Sequence, residues 1–146
     1  MLRMLSAALN TITVLTNKVR SVQAFDEAVA YYNNKQYGKA FPMMEEAAKS
    51  GNARAMSMLG SMYALGYGVK ENGNQAVKWL VKATENGDQE AVSVLGMVYV
   101  TGKGGAPRRM EEGIALLEKA AATGDEQSVR MLSAIRNREG IFRKLR

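Results

Sequence analysis

Two pairs of adjacent carboxylates, Glu45-Glu46 and Glu111-Glu112, have the side chains that general acid–base chemistry would use. Gly102-Lys103-Gly104-Gly105 has the composition of a phosphate cradle. Neither has the required geometry. Neighbours on a helix project about 100° apart, so adjacent carboxylates do not converge on one substrate atom. Glu111-Glu112 also reads as the first turn of a helix, where the helix dipole favours negative charge. The glycine stretch lacks the spacing and the trailing Lys-Ser/Thr of a phosphate-binding loop, and no strand precedes it. The chain contains neither histidine nor cysteine. That removes cysteine nucleophiles, histidine triads, the usual zinc ligand sets and disulfides together. No metal or cofactor is expected, and the chain reads as a non-enzyme. Trp79, Tyr63 and Tyr99 fall at matching helical offsets and read as packing residues. The ten methionines read first as core filling, with adaptable contact surface as the alternative.

The charge is uneven. The chain carries a net +6, but residues 1–20 contribute +3 through Arg3, Lys18 and Arg20. Residues 136–146 contribute +4 through Arg136, Arg138, Arg143, Lys144 and Arg146 against Glu139. The body between them is close to neutral. A nucleic-acid binder spreads basic charge over its folded surface; here the excess sits at the two ends, as expected of solvated termini.

What must position any site is a repeat. Ala55, Leu59, Gly60, Tyr63, Gly66 and Gly68 recur 36 residues on as Ala91, Leu95, Gly96, Tyr99, Gly102 and Gly104. Ala76, Trp79, Leu80, Ala83 and Gly87 map back by 36 onto Ala40, Met43, Met44, Ala47 and Gly51. They map forward by 37 onto Gly113, Leu116, Leu117, Ala120 and Gly124, so one residue has entered the loop near Gly104–Pro107. Insertion in a loop with helices kept in register is the signature of a stacked array. The apolar residues of each unit fall at helical spacing in two stretches, each ended by glycine. Gly60 and Gly96 lie inside helices, where glycine costs roughly 1 kcal/mol relative to alanine. Their recurrence predicts the close approach of a neighbouring helix, with a kink as the alternative.

The pattern Ala-x3-Leu-Gly-x2-Tyr-x2-Gly-x-Gly-Val, followed by Ala-x2-Trp-x3-Ala and a closing Gly, resembles the Sel-one-like repeat, a relative of the tetratricopeptide repeats. Residues 53–87 match nearly throughout, including Val69 and Lys82. The unit from 89 matches through Gly104 and then departs, with Gly105 for the valine and Leu116 for the tryptophan. The first unit, with Tyr31, Tyr37 and Ala40, looks more like a tetratricopeptide. The last keeps Leu132 but has Ser133 and Arg136 where glycine and tyrosine stood. The resemblance implies an all-α, right-handed superhelix of about three and a half antiparallel hairpins. The expected units are 23–51, 53–87 and 89–124 with a capping helix at 126–137, followed by a basic tail, 138–146.

Residues 1–22 place Met1, Leu5, Ala8, Ile12, Leu15, Val19 and Val22 at steps of three and four, so an extra amphipathic helix is expected. It is expected to cover the exposed first face of the array or to pair with a second copy in a homodimer. A cleaved secretion signal ending at Ala24 and a basic membrane-surface anchor are the alternatives. The chain has no run of the roughly 18 apolar residues that a spanning helix needs. A cytoplasmic location is expected, or a periplasmic or secreted one if residues 1–24 are removed.

Hairpin arrays offer a concave wall built from the first helix of each unit. With Leu59 and Tyr63 turned inward, the wall would comprise Arg54, Ser57, Met58, Ser61 and Leu65. Its counterparts are Glu90, Ser93, Val94, Met97 and Thr101, then Gln127, Arg130, Met131 and Ala134. Small hydroxyls, one methionine or valine per unit and few charges suit a protein or peptide partner better than a phosphate backbone. The resemblance implies a protein–protein interaction module and extends to bacterial adaptors and proteins that neutralise a cognate secreted toxin. Nucleic-acid binding through the basic ends is the alternative.

Overall fold

A computed structural model describes residues 1–144. These residues form seven α-helices, one 3₁₀ turn (Lys103–Gly105) and no strand. The helices are α1 (Leu2–Asn33), α2 (Tyr37–Lys49), α3 (Ala53–Leu65), α4 (Gly73–Glu85), α5 (Gln89–Thr101), α6 (Met110–Ala122) and α7 (Glu126–Lys144). Successive helices pack as hairpins, α1 on α2, α3 on α4 and α5 on α6, and α7 closes the stack against α6. In addition α3 touches α5 and α5 touches α7, whereas α4 and α6 make no comparable contact. The first helices therefore gather on an inner flank and the second helices fan outward, giving the expected all-α hairpin superhelix.

The repeat is written into the helix ends. Asn52, Asp88 and Asp125 stand at one repeat position. Their carboxamide or carboxylate oxygens accept from the backbone N–H of Ala55 (2.9 Å), Glu90 (3.3 Å) and Ser128 (2.7 Å), capping α3, α5 and α7. Asn72 caps α4 through Gln75 N–H at 3.1 Å, while Arg109, its counterpart at α6, supplies no side-chain cap. Gly66 and Gly102 end α3 and α5 in the left-handed conformation, with φ of 70° and 66°, which glycine adopts without Cβ strain.

The core is made of small residues facing large ones. Leu59, Met62, Leu80 and Leu117 are fully buried, each contributing about 1.5–3 kcal/mol by removal from water. A Cβ on Gly60 would lie 2.6 Å from Leu80 Cγ and 3.1 Å from the Ala76 carbonyl. On Gly96 it would lie 3.0 Å from Leu117 Cγ and 3.1 Å from the Gly113 carbonyl. Both helices run unbroken through these glycines, so the glycines permit close approach and mark no kink. Ser133, the third copy of the position, is exposed in α7. The loops fit in the same periodic way. Gly68 lies against the Tyr37 carbonyl, and a Cβ on Gly104 would sit 2.9 Å from Gly73 N. Each loop therefore rests on the first turn of the second helix of the preceding hairpin. Tyr67 stacks on Tyr37 at 4.2 Å, with Tyr32 edge-on to Tyr37 at 5.2 Å.

Two expected boundaries are absent. Residues 1–22 are not a separate helix: α1 runs through them to Asn33, because no glycine or proline interrupts that stretch. At 1.5 Å per residue α1 is about 48 Å long, more than twice the length of the 13-residue helices α2 to α6. Residues 1–20 are exposed throughout, so this segment projects past the array and does not cover its first face. The expected basic tail, 138–146, is likewise helical as far as Lys144, as a continuation of α7. Gly140, with open space around it, is its one weak helix former. Arg136, Arg138, Arg143 and Lys144 are exposed on it, and the tail's last two residues, Leu145 and Arg146, lie outside the described residues.

Candidate functional site

Two neighbouring depressions along the first helices of the hairpins form a trough. At one end, a depression of about 120 Å³ is bounded by Tyr32 of α1, Arg54, Ser57, Met58 and Ser61 of α3, and Glu90 of α5. A second, of about 370 Å³, is bounded by Glu90, Ser93 and Val94 of α5 together with Asp125, Glu126, Gln127 and Arg130 at the start of α7. Glu90 lines both.

Helical spacing produces this lining. Residues 54, 57, 58 and 61 share one face of α3, and 90, 93 and 94 share the matching face of α5. The floor is made by the two serines, Ser57 and Ser93, which are only 3% and 4% exposed. They are small enough to let α3 and α5 approach each other. Their hydroxyls do not reach across: Ser93 Oγ donates to its own helix at the Glu90 carbonyl (3.0 Å), and Ser61 Oγ donates to the Ser57 carbonyl (3.1 Å). Met58 and Val94 supply the half-buried apolar contact. The rims are charged. Arg54 lies 3.9 Å from Glu90 across the gap between α3 and α5, and Arg130 lies 2.8 Å from Glu126 within α7. Burial pushes the Tyr32 hydroxyl above the ordinary tyrosine value. Tyr37, Tyr67 and Glu90 add to that shift.

The trough thus gathers Arg54, Ser57, Met58, Ser61, Glu90, Ser93, Val94, Gln127 and Arg130 from the expected wall. Five expected positions lie elsewhere. Met97 and Met131 pack on the buried cluster of Val100, Leu117 and Leu132, because α5 is enclosed by α6 and α7 on that side. Met131 and Thr101, with Ala134, border a separate cavity of about 640 Å³ between the end of α5, the start of α6 and α7. Leu65 is 45% exposed at the end of α3, outside both depressions. Tyr32, Asp125 and Glu126 were not legible as lining. The repeat counterpart of Tyr32 is the loop residue Gly68, so register gives no sign of it, and Asp125 sits at a capping position.

The stretches that suggested chemistry do structural work. Glu45 pairs with Lys49, whose ammonium it holds above the ordinary lysine range, and Glu112 pairs with Arg109 at 3.3 Å. Gly102–Gly105 forms the loop seated on Gly73. Trp79 is half-buried, with Lys82 Nζ 5.0 Å from its ring centre. Among the described residues no three acidic side chains cluster as a metal site, and no helix is long and apolar enough to cross a membrane.

Residues 53–88 and 89–125, the two hairpins that build the middle of the trough, each match the profile of the Sel1 repeat. The chain belongs to the Sel1 repeat family. Sel1 repeat proteins are generally protein–protein interaction modules. No curated protein matches the chain by sequence, but solved Sel1 structures share its fold. A protective antigen present in uropathogenic Escherichia coli strains, displaying an SLR fold, is 24% identical, with a TM-score of 0.74 over 81% of this chain and 26% of its own. A Sel1 repeat protein from Oxalobacter formigenes is 23% identical, with a TM-score of 0.66 over 78% of this chain and 48% of its own. Helicobacter pylori cysteine rich protein B is 23% identical, with a TM-score of 0.60 over 86% of this chain and 95% of its own. The chain thus spans about a quarter and about half of the first two proteins.

Proposed function

We propose that this Sel1 repeat chain is a non-enzymatic adaptor that holds a segment of a partner protein in the trough between α1, α3, α5 and α7. The observation that carries this is that Glu90 lines both depressions, so that they lie side by side along the inner flank. Its lining of small hydroxyls, Met58, Val94 and isolated charges of both signs suits a polypeptide with alternating apolar and polar groups. Met58 and Val94 are the apolar anchors. The test is capture of the partner from the native organism by wild type and by a Met58→Glu/Val94→Glu variant, with near-ultraviolet circular dichroism as the folding control. Loss of capture by a folded variant supports the trough as the site, and unchanged capture removes it. Met97 is unsuitable for this purpose, because charging it would break the cluster around Leu117.

Within this function, a cytoplasmic bacterial protein that neutralises a cognate secreted toxin is the finer proposal, motivated by family. Co-expression with a toxin encoded nearby would then relieve its toxicity, and Arg54→Glu would weaken the relief. Nucleic-acid binding is the competing function, favoured by the exposure of Arg136, Arg138, Arg143 and Lys144 along the end of α7. Titration against RNA at two salt concentrations separates the two, since phosphate contacts give a steep salt dependence.

A further inference from the structure

The projecting part of α1 is amphipathic, yet nothing in the chain covers it. Leu9, Ile12 and Leu15 are 63%, 59% and 56% exposed. Met1, Leu5, Ala8, Ile12, Leu15, Val19 and Val22 follow one another at steps of 4, 3, 4, 3, 4 and 3, an unbroken heptad seam over three turns of the repeat. Arg3, Asn10 and Asn17 fall at the position farthest from the seam, with Ser6, Thr13 and Arg20 beside them, so no charge lies on the seam itself. At about 100° per residue, the seam's mean direction lies about a third of a turn from that of Phe25, Ala28, Val29 and Tyr32, the α1 residues that pack on the array. The seam meets the intramolecular contact only at its end, where Val22 leads into Phe25 and Val29, and residues 1–20 are exposed throughout. Along the projecting residues a second helix can lie against the seam beyond the hairpins.

We propose that this seam pairs with the same seam of a second copy of the chain, as a two-helix antiparallel coiled coil. The occupant is a second copy because the heptad is self-complementary and its area is sufficient. The six paired seam side chains, at about 60–120 Å² each, together with Leu9 and Thr16 beside them, come close to the roughly 800 Å² per partner of a stable interface. The antiparallel direction follows from Ala8, the one small seam residue. In a parallel pair it faces itself and leaves a void. In an antiparallel pair Ala8 meets Val19, Leu5 meets Val22 and Ile12 meets Leu15, each twice about the two-fold axis. Lys18 then faces Thr11 of the copy, and no two cations meet. The arrays emerge from opposite ends of the pair with both troughs free.

Sedimentation velocity of the full chain at micromolar concentration tests the pairing. The expected result is a particle of two chains that becomes one chain in the Ile12→Asp/Leu15→Asp variant, with the Trp79 environment and the melting of the array unchanged. A wild type that stays at one chain overturns the pairing, as does a variant that stays at two. Because the chain has no cysteine, orientation is read by cross-linking. Leu5→Cys and Val22→Cys proteins should form a disulfide with each other when mixed and oxidised, and neither with itself. Self-linking of Leu5→Cys overturns the antiparallel arrangement. Binding of single chains to phosphatidylglycerol vesicles, without pairing in solution, would assign the seam to a membrane surface and also overturn the proposal.

Discussion

Gly60 shows how much one absent methyl group decides in this molecule. On an isolated helix, alanine in its place would gain up to about 1 kcal/mol. Here the new carbon would stand 2.6 Å from Leu80 Cγ, so Gly60→Ala is expected to lower stability by about 1–3 kcal/mol. Gly38→Ala, where nothing lies within 4 Å, is expected to leave stability unchanged or raise it by up to about 1 kcal/mol. Urea melts of the two variants check the opposite signs. The tyrosines offer a second measurement. Burial, first among the causes, raises the pKa of both Tyr32 and Tyr63 above the ordinary 10.0. Above about pH 10 the unfolded chain therefore releases these protons before the folded one does. Stability is unaffected below that pH and declines as pH rises through it. Tyrosinate absorbance should show a late-titrating component that Tyr32→Phe diminishes. The roles of Gly60 and Gly96 were legible in the sequence because glycine inside a helix needs a reason, and repetition supplies one. The burial of Ser57 and Ser93 was not, because a 3.6-residue stripe identifies the most apolar face and says nothing of how closely the next helix comes to another.

Helix ends carry the next level. Asp88 caps α5 through Glu90 N–H, while its second oxygen, Oδ2, is buried without a hydrogen-bond partner. Asp88→Ala is expected to cost about 1–2 kcal/mol through the lost cap. Asp88→Asn keeps the cap and removes the buried charge, as Asn52 does at the same place in α3, so its melting midpoint should stay close to wild type. The sequence located these ends well wherever glycine or a capping residue recurred. It misplaced the start of the array at residue 23 because the resemblance begins there, although no helix-stopping residue does. The same error cut α7 short at residue 137. The missing trough residue Tyr32 has the same origin: α1 continues past the point at which α3 and α5 stop at Gly66 and Gly102, so its last turn has no helical counterpart.

For the whole molecule, the projecting end of α1 and the stack are energetically separable. Residues 1–20 are exposed throughout, so a chain beginning at residue 21 is expected to keep the melting midpoint of a full-length chain held monomeric by Ile12→Asp/Leu15→Asp. Its circular dichroism should lose the helical signal of about twenty residues, and differential scanning calorimetry checks the midpoint. A markedly lower midpoint would show that the projection supports the array. The near-neutral body and basic ends seen in the sequence remain visible in the fold, with the cations on the free ends of α1 and α7 and the trough lined by both signs.

The spacing between rods is fixed at Gly60, Gly96, Gly68 and Gly104, none of which lines the trough. Frame and lining are therefore held by different residues. Met58, Val94, Arg54 or Gln127 can be exchanged without altering the pitch of the scaffold, so recognition can be reprogrammed, by drift or by a protein engineer, while the architecture stands still.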